Sequence, residues 1–77
     1  MSETAPKADL LAQVGLRILK ARTKAGISRR LLSEKSGVSP RYIAQMEAGE
    51  GNISIALLQK VATALDMGIE WFFWPED

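Results

Sequence analysis

The segment SGVSP, residues 36–40, places the end of one helix and the start of the next within a few positions of each other. Gly37 can adopt the left-handed conformation that commonly ends a helix. Ser39 can accept a hydrogen bond from the first turn of the following helix, and Pro40 stands at the first helical position, where proline is favoured. Two helices joined by a turn of three or four residues that contains Gly form a helix-turn-helix unit.

Helical periodicity extends over most of the remaining chain. Apolar residues recur every three or four positions, and the buried rows are expected to include Leu10 and Val14 in the first part and Ile55 and Leu58 in the last part. No run alternates apolar and polar residues as a strand requires. The sequence therefore predicts an all-α domain of five helices, at about 8–25, 29–36, 40–48, 55–65 and 69–73.

The length of the chain, 77 residues, fits one small domain. Residues 1–7 contain no apolar row, and we expect them to form a disordered arm ahead of a domain that spans residues 8–77. A core of this size leaves room for a binding surface but little for an enclosed pocket.

The residue types that are missing exclude several classes of function. The chain has no Cys and no His, so it lacks a thiol nucleophile, an imidazole base and the usual ligands of a zinc site. We therefore expect no enzyme activity, no cofactor and no metal. No apolar run approaches ~18 residues, and the polar N-terminus does not resemble a signal peptide, so the sequence predicts a cytoplasmic chain without a membrane segment.

Charge is divided between the two halves of the chain. Residues 1–41 carry nine basic and three acidic side chains, a net charge of +6, whereas residues 42–77 carry one basic and six acidic side chains, a net charge of −5. Such a division suggests that one end of the domain faces a polyanion while the other stays clear of it. A solvated surface on which the charges segregate by chance would give the same counts.

The helix predicted at 40–48 is amphipathic. At ~100° per residue, Ile43 and Met46 share its inward side, whereas Arg41 and Gln45 share its outward side. The outward residues are accompanied by alanines, and small side chains let a helix approach a surface closely. An ordinary surface helix whose polar side meets only water would show the same pattern.

Three segments of the chain, taken in order, resemble the Xre/Cro/phage-repressor family of DNA-binding domains. They are VGLRILKARTKAGIS for the first helix and turn, RRLLSEKSGVSPRYIAQMEAG for the helix-turn-helix, and SIALLQKVATALDMGIEWFF for the closing helices. The resemblance implies a lambda-repressor-like fold and a sequence-specific transcriptional regulator that binds double-stranded DNA. The stretch SPRYIAQMEAGEGNISIALLQ is most similar to regulators of benzoate degradation, whose DNA-binding half precedes a shikimate-kinase-like domain.

The resemblance also assigns roles to individual residues. Family members insert the start of the second helix of the unit into the major groove, and the matching base-reading positions are Pro40, Arg41, Ala44 and Gln45. Arginine can donate two hydrogen bonds to guanine, and glutamine can pair with adenine. The side chains and helix ends suited to phosphate contacts are Ser28, Arg29, Arg30, Lys35, Ser39, Tyr42 and Asn52. For Tyr42, packing against the helix at 29–36 is an equal alternative.

Arg22 and Glu47 occupy the family positions of a largely buried ion pair between the first helix and the recognition helix. We expect this pair to stabilise the fold rather than to contact bases, because breaking a buried pair leaves one charge without compensation.

The chain carries more apolar side chains than a small core can bury, in a second apolar row on the first helix and in the aromatic residues near the C-terminus. The residues expected at an interface are Leu16, Leu19, Trp71, Phe73 and Trp74. Family members commonly dimerise to read two half-sites, so a homodimer on a two-fold DNA site is predicted. These residues could instead cover one another within the monomer, or dock on a further domain or partner protein. The alternative function is a protein-interaction module, such as an antitoxin or a coactivator-like domain.

Overall fold

The computed structural model describes the backbone from residue 6 to residue 73 and the side chains from residue 9. Four α-helices and one 3-10 helix follow one another along this part of the chain. The α-helices are α1 Pro6–Ala25, α2 Arg29–Ser36, α3 Pro40–Glu47 and α4 Ile55–Ala64, and the 3-10 helix is Ile69–Phe73. No strand occurs between residues 6 and 73.

The prediction of an all-α fold is confirmed for the described residues, and the structure differs from the predicted helices in two details. The last predicted helix, at 69–73, is a short 3-10 helix, so the predicted count of five α-helical segments is not confirmed. The first helix begins at Pro6, inside the arm that was expected to be disordered, and proline is favoured at such a position. Residues 1–5 of that arm lie outside the described residues. None of the described helices is long and apolar enough to cross a membrane.

Each of the described helices, and the turn between α2 and α3, contributes a fully buried side chain to one central core. The fully buried apolar residues are Val14, Ile18, Leu32, Val38, Ile43, Met46, Leu58, Val61, Ala62 and Phe72. Two expectations for this core were wrong. Leu10 and Ile55 remain 43% and 63% exposed, since they lie at the ends of α1 and α4, where neither helix is fully covered by its neighbours.

The middle of α1 packs against the C-terminal end of α3 at backbone distance. Gly15 lies so close to this end that a methyl group on its Cα would overlap the carbonyl oxygen of Met46 and lie 2.7 Å from that of Glu47. Gly49, which follows α3 with φ +70°, lies in turn against the backbone of Ala12. This contact fixes the position of α3 relative to α1.

A buried arginine holds the 3-10 helix against α1. The Arg17 side chain is only 3% exposed, although the sequence counts it among the basic residues of a charged surface. Its guanidinium donates a hydrogen bond to the Trp71 carbonyl oxygen and lies 4.8 Å from the centre of the indole ring. Gln13 donates from Nε2 to the carbonyl oxygen of Phe72 at 3.2 Å, so α1 satisfies two of the last carbonyl groups of the fold.

Candidate nucleic-acid interface

The turn between α2 and α3 is fixed by local hydrogen bonds. Gly37 adopts φ +79°, and its N–H donates to the Ser33 carbonyl oxygen at 2.8 Å. The Val38 N–H then donates to Ser36 Oγ at 3.1 Å, while the Val38 side chain is buried in the core. These contacts hold the two helices at a defined angle, so the predicted helix-turn-helix unit is present as a rigid element.

Serine caps begin both helices of the unit. Ser28 Oγ accepts a hydrogen bond from the Leu31 N–H at 3.0 Å, and Ser39 Oγ accepts one from the Tyr42 N–H at 3.1 Å. Ser28 and Ser39 are exposed. The first N–H groups of a helix carry a partial positive charge, so both helix starts are suited to contact with an anion.

The two sides of α3 differ as the sequence predicts. Ile43 and Met46 are completely buried. Arg41 and Gln45 lie one helical turn apart on the exposed side, and Ala44 between them is half-buried. The buried side of α3 is packed in the core, and its exposed side presents a guanidinium group and a carboxamide group.

Pro40, the remaining predicted base-reading residue, is exposed at the first position of α3. Its ring adds apolar surface at the end of the helix and offers no N–H group.

The structure brings Arg22 of α1 and Glu47 of α3 together in a two-bond ion pair. Arg22 Nε lies 2.6 Å from Glu47 Oε2, and Arg22 Nη2 lies 3.2 Å from Glu47 Oε1. Arg22 Nη1 donates to the Ile27 carbonyl oxygen at 3.0 Å. The two side chains are 15% and 3% exposed, so this pair is largely shielded from water.

A third charged side chain joins this pair. Arg29, the first residue of α2, donates from Nε to Glu47 Oε1 at 2.8 Å. Arg29 was predicted only as a phosphate contact, because neither its spacing nor its charge indicates a bond to a residue of α3. Its side chain remains 49% exposed.

Tyr42 is half-buried against the core, and its hydroxyl group is bonded within the protein. Its hydroxyl group donates to the Asn52 carbonyl oxygen at 3.2 Å and accepts a hydrogen bond from the Ser54 N–H at 2.8 Å. The hydroxyl proton is therefore directed at the loop before α4. A hydrogen bond to a phosphate oxygen would require the Asn52 contact to break.

The other predicted phosphate contacts are exposed but do not form one cluster. Arg30 lies 3.7 Å from Glu34 on the surface of α2, with 87% of its side chain exposed. Lys35 lies near the other end of α2, in a groove that it shares with Lys60 of α4. Asn52 is exposed in the loop whose carbonyl group binds Tyr42.

The predicted interface residues separate into different surfaces. Phe73 is 37% exposed and lines an apolar cleft of about 110 Å³ with Leu10 and Ile55. Trp71 was expected at an interface, but it is half-buried because Arg17 and the core cover part of its ring. Trp74 lies outside the described residues.

Leu16 and Leu19 do not border this cleft. Leu16 is 48% exposed and lies roughly 160° around α1 from Val14, which lines the cleft, while Leu19 is half-buried. A single interface that contains both Leu16 and Phe73 would therefore have to wrap around α1. Within residues 9–73, no group of three or more acidic side chains is close enough to hold a metal ion.

Comparisons with known proteins relate this geometry to one family. The HTH_3 helix-turn-helix family matches residues 18–72. An uncharacterized transcriptional regulator in the ATPase CF(0) region of Rhodospirillum rubrum is 36% identical over 62 residues, which cover 80% of this chain and 57% of that relative. This chain thus spans little more than half the length of that relative.

Solved structures show the same fold. The restriction-modification controller protein C.AhdI from Aeromonas hydrophila is 35% identical, with a TM-score of 0.78 over 82% of this chain and 96% of that one. The clp gene regulator ClgR from C. glutamicum is 32% identical, with a TM-score of 0.75 over 82% of each chain. These comparisons do not support the narrower resemblance to benzoate-degradation regulators.

Proposed function

The chain belongs to the HTH_3 family of helix-turn-helix DNA-binding regulators, and from this premise we propose that it binds specific DNA sites by inserting α3 into the major groove. The observation that carries this proposal is the pair Arg41 and Gln45. Both are exposed on one side of a helix whose other side is completely buried. A rigid helix with two long polar side chains one turn apart is suited to contact adjacent base pairs.

Base contacts alone would not hold the helix in the groove, because most hydrogen bonds between proteins and DNA go to phosphates. We assign the nearest phosphate contacts to Arg29 and to the helix starts at Ser28 and Ser39. Arg30, Lys35 and Asn52 are further candidates, each exposed at a separate position. For Tyr42 we propose a structural role, in which its hydroxyl group bonds the loop before α4 instead of a phosphate oxygen.

Binding to genomic DNA fragments, measured at several salt concentrations, tests this proposal. A regulator of this kind protects a defined sequence in a footprint, and its affinity falls steeply with salt because phosphate binding releases counterions. Salt-independent binding without a footprint would contradict the proposal.

We also propose that two copies bind a two-fold DNA site and meet at the apolar cleft formed by Leu10, Ile55 and Phe73. The cleft adjoins the reading helix, because Ile55 follows Ser54, whose N–H is bonded to Tyr42 of α3. Copies that meet there could present two α3 helices to the same face of DNA. Half-sites would then be spaced by one turn of DNA, about 34–36 Å.

Light scattering tests this interface. Phe73→Ser should shift the protein from dimer to monomer, whereas Leu16→Ser should not, because Leu16 lies on another side of α1. The same cleft also supports the second candidate function, a module that binds a partner protein. That alternative would be favoured if the chain showed no salt-dependent binding to DNA but bound a partner protein, and if Phe73→Ser weakened the binding of that partner.

A further inference from the structure

Glu47 connects the three helices that surround the proposed DNA surface. Its Oε2 accepts from Arg22 Nε at 2.6 Å, and its Oε1 accepts both from Arg22 Nη2 at 3.2 Å and from Arg29 Nε at 2.8 Å. The carboxylate is the last side chain of α3, while its partners belong to α1 and α2. One carboxylate of 3% exposure thus joins two guanidinium groups.

The two arginines differ in how completely they are bound. Arg22 uses all three of its nitrogens, two on Glu47 and one on the Ile27 carbonyl oxygen. Arg29 uses only Nε, and within the described part of the chain its two terminal nitrogens make no hydrogen bond. One negative charge faces two positive charges, so the group retains a positive charge on its exposed side, at Arg29.

We propose that Glu47 is a positioning residue for DNA-backbone contact, which rests on the function proposed above. Its bond to Nε fixes the plane of the Arg29 guanidinium, so that the two terminal nitrogens are available to a single phosphate at the start of α2. Paired N–H groups in a plane match the geometry of phosphate oxygens. Because Glu47 ends the helix that carries Arg41 and Gln45, the same bond links the phosphate contact to the reading helix.

If Glu47 holds the Arg29 side chain in place before DNA is bound, DNA binding should be stronger, because Arg29 then loses less conformational freedom when it contacts the phosphate. Release of one long side chain corresponds to about a 3- to 10-fold loss in affinity. Simple electrostatics predicts the opposite result for a neutralised Glu47. Removing a negative charge raises the net charge of the chain and would by itself tighten binding to any DNA.

The test measures the affinity of the 77-residue chain for a short mixed-sequence DNA duplex, since phosphate contacts are independent of sequence. The variants are Glu47→Gln, Arg29→Ala and the double variant, each checked by circular dichroism for a folded state. We expect each single change to weaken binding by about 3- to 10-fold and the double change to weaken it no further than Arg29→Ala. Binding that is unchanged or tighter in Glu47→Gln, or losses that multiply in the double variant, would overturn the proposal.

Arg29→Lys provides a test that leaves Glu47 in place. Lysine keeps the charge but has one nitrogen, so it cannot bond Glu47 and present two donors to phosphate together. We expect Arg29→Lys to bind as weakly as Arg29→Ala. Binding of Arg29→Lys at the wild-type level would show that only the charge matters and would reject the positioning role.

Failure of the function itself gives a different result. In that case the wild-type chain shows no salt-dependent binding to the duplex. If the wild type binds and Arg29→Ala has no effect, the phosphate contact of Arg29 and its positioning by Glu47 are lost, but the proposed function is not. If Arg29→Ala weakens binding while Glu47→Gln does not, the phosphate contact stands and only the positioning role is lost.

Discussion

The guanidinium carbon of Arg17 lies 4.8 Å from the centre of the Trp71 ring, and the same group donates a hydrogen bond to the Trp71 carbonyl oxygen. The two contacts combine a cation–π interaction with a charge-assisted hydrogen bond in a site that is almost closed to water. They join the middle of α1 to the 3-10 helix across a sequence separation of 54 residues. The Arg17 Nε is buried without a hydrogen-bond partner in the described residues, which offsets part of this stabilisation.

We predict that Arg17→Ala lowers the free energy of unfolding by about 2–3 kcal/mol, because it removes both contacts and leaves the space unfilled. Arg17→Met should cost less, since it fills a similar volume and removes the unsatisfied Nε. Urea denaturation followed by tryptophan fluorescence measures both variants. Equal stability of Arg17→Ala and the wild type would show that the 3-10 helix docks without this side chain.

Gly15→Ala tests the close contact of α1 with α3. Alanine is the better helix former by about 1 kcal/mol, so propensity alone predicts stabilisation. The added methyl group would overlap the Met46 carbonyl oxygen, and overpacking of this kind typically costs about 1–3 kcal/mol. We therefore expect a net loss of stability in urea denaturation, while Thr23→Ala, an exposed change in the same helix, should be neutral or slightly stabilising. A gain in stability for Gly15→Ala would contradict the observed contact.

The sequence predicts those parts of the fold that depend on neighbouring residues. The boundaries of α2 and α3 follow from Ser28, Gly37 and Ser39, because a cap is determined by side chains within one turn of the helix end. The exposed pair on α3 follows from helical periodicity alone. Local patterns thus identify the helix-turn-helix unit and its outward residues.

Features that depend on distant contacts could not be predicted in this way. The burial of Arg17 requires the position of Trp71, and the role of Gly15 requires the position of Met46. The bond between Arg29 and Glu47 likewise depends on the angle between α2 and α3. The charge of a side chain and its spacing along the sequence do not indicate such distant contacts. For a glycine within a helix, the sequence alone predicts only a lower helix propensity.

Arg22→Ala tests the stabilising role assigned to the ion pair. The change leaves the Glu47 carboxylate buried with Arg29 as its remaining charged partner, and truncation of one partner of a buried pair costs about 3–5 kcal/mol. We expect a value near the lower end, because Arg29 compensates part of the charge. Urea denaturation provides the measurement, and Arg30→Ala, a change at a largely exposed position, is the matched control. Unfolding of both variants at the same urea concentration would refute a structural role for Arg22.

Tyr42→Phe separates the support of the loop from contact with DNA. The change removes the hydroxyl group that bonds the Asn52 carbonyl oxygen and the Ser54 N–H, and we expect a loss of about 1 kcal/mol in stability. Since the hydroxyl proton is engaged within the protein, DNA affinity at a temperature where both proteins are folded should be unchanged. A clear loss of affinity without a loss of stability would instead favour a phosphate contact by Tyr42.

Arg41→Ala and Gln45→Ala should change base preference rather than overall affinity for DNA. Each side chain that reads a base contributes about 1–3 kcal/mol of discrimination at one position, so each variant should lose preference at a different base pair of the site. Selection from a randomised DNA library measures this preference for each variant. Arg29→Ala is the comparison, because loss of a phosphate contact weakens all sequences alike. If Arg41→Ala retained the full preference of the wild type, the exposed side of α3 would not be the reading surface, and the proposed docking of this helix would have to be abandoned.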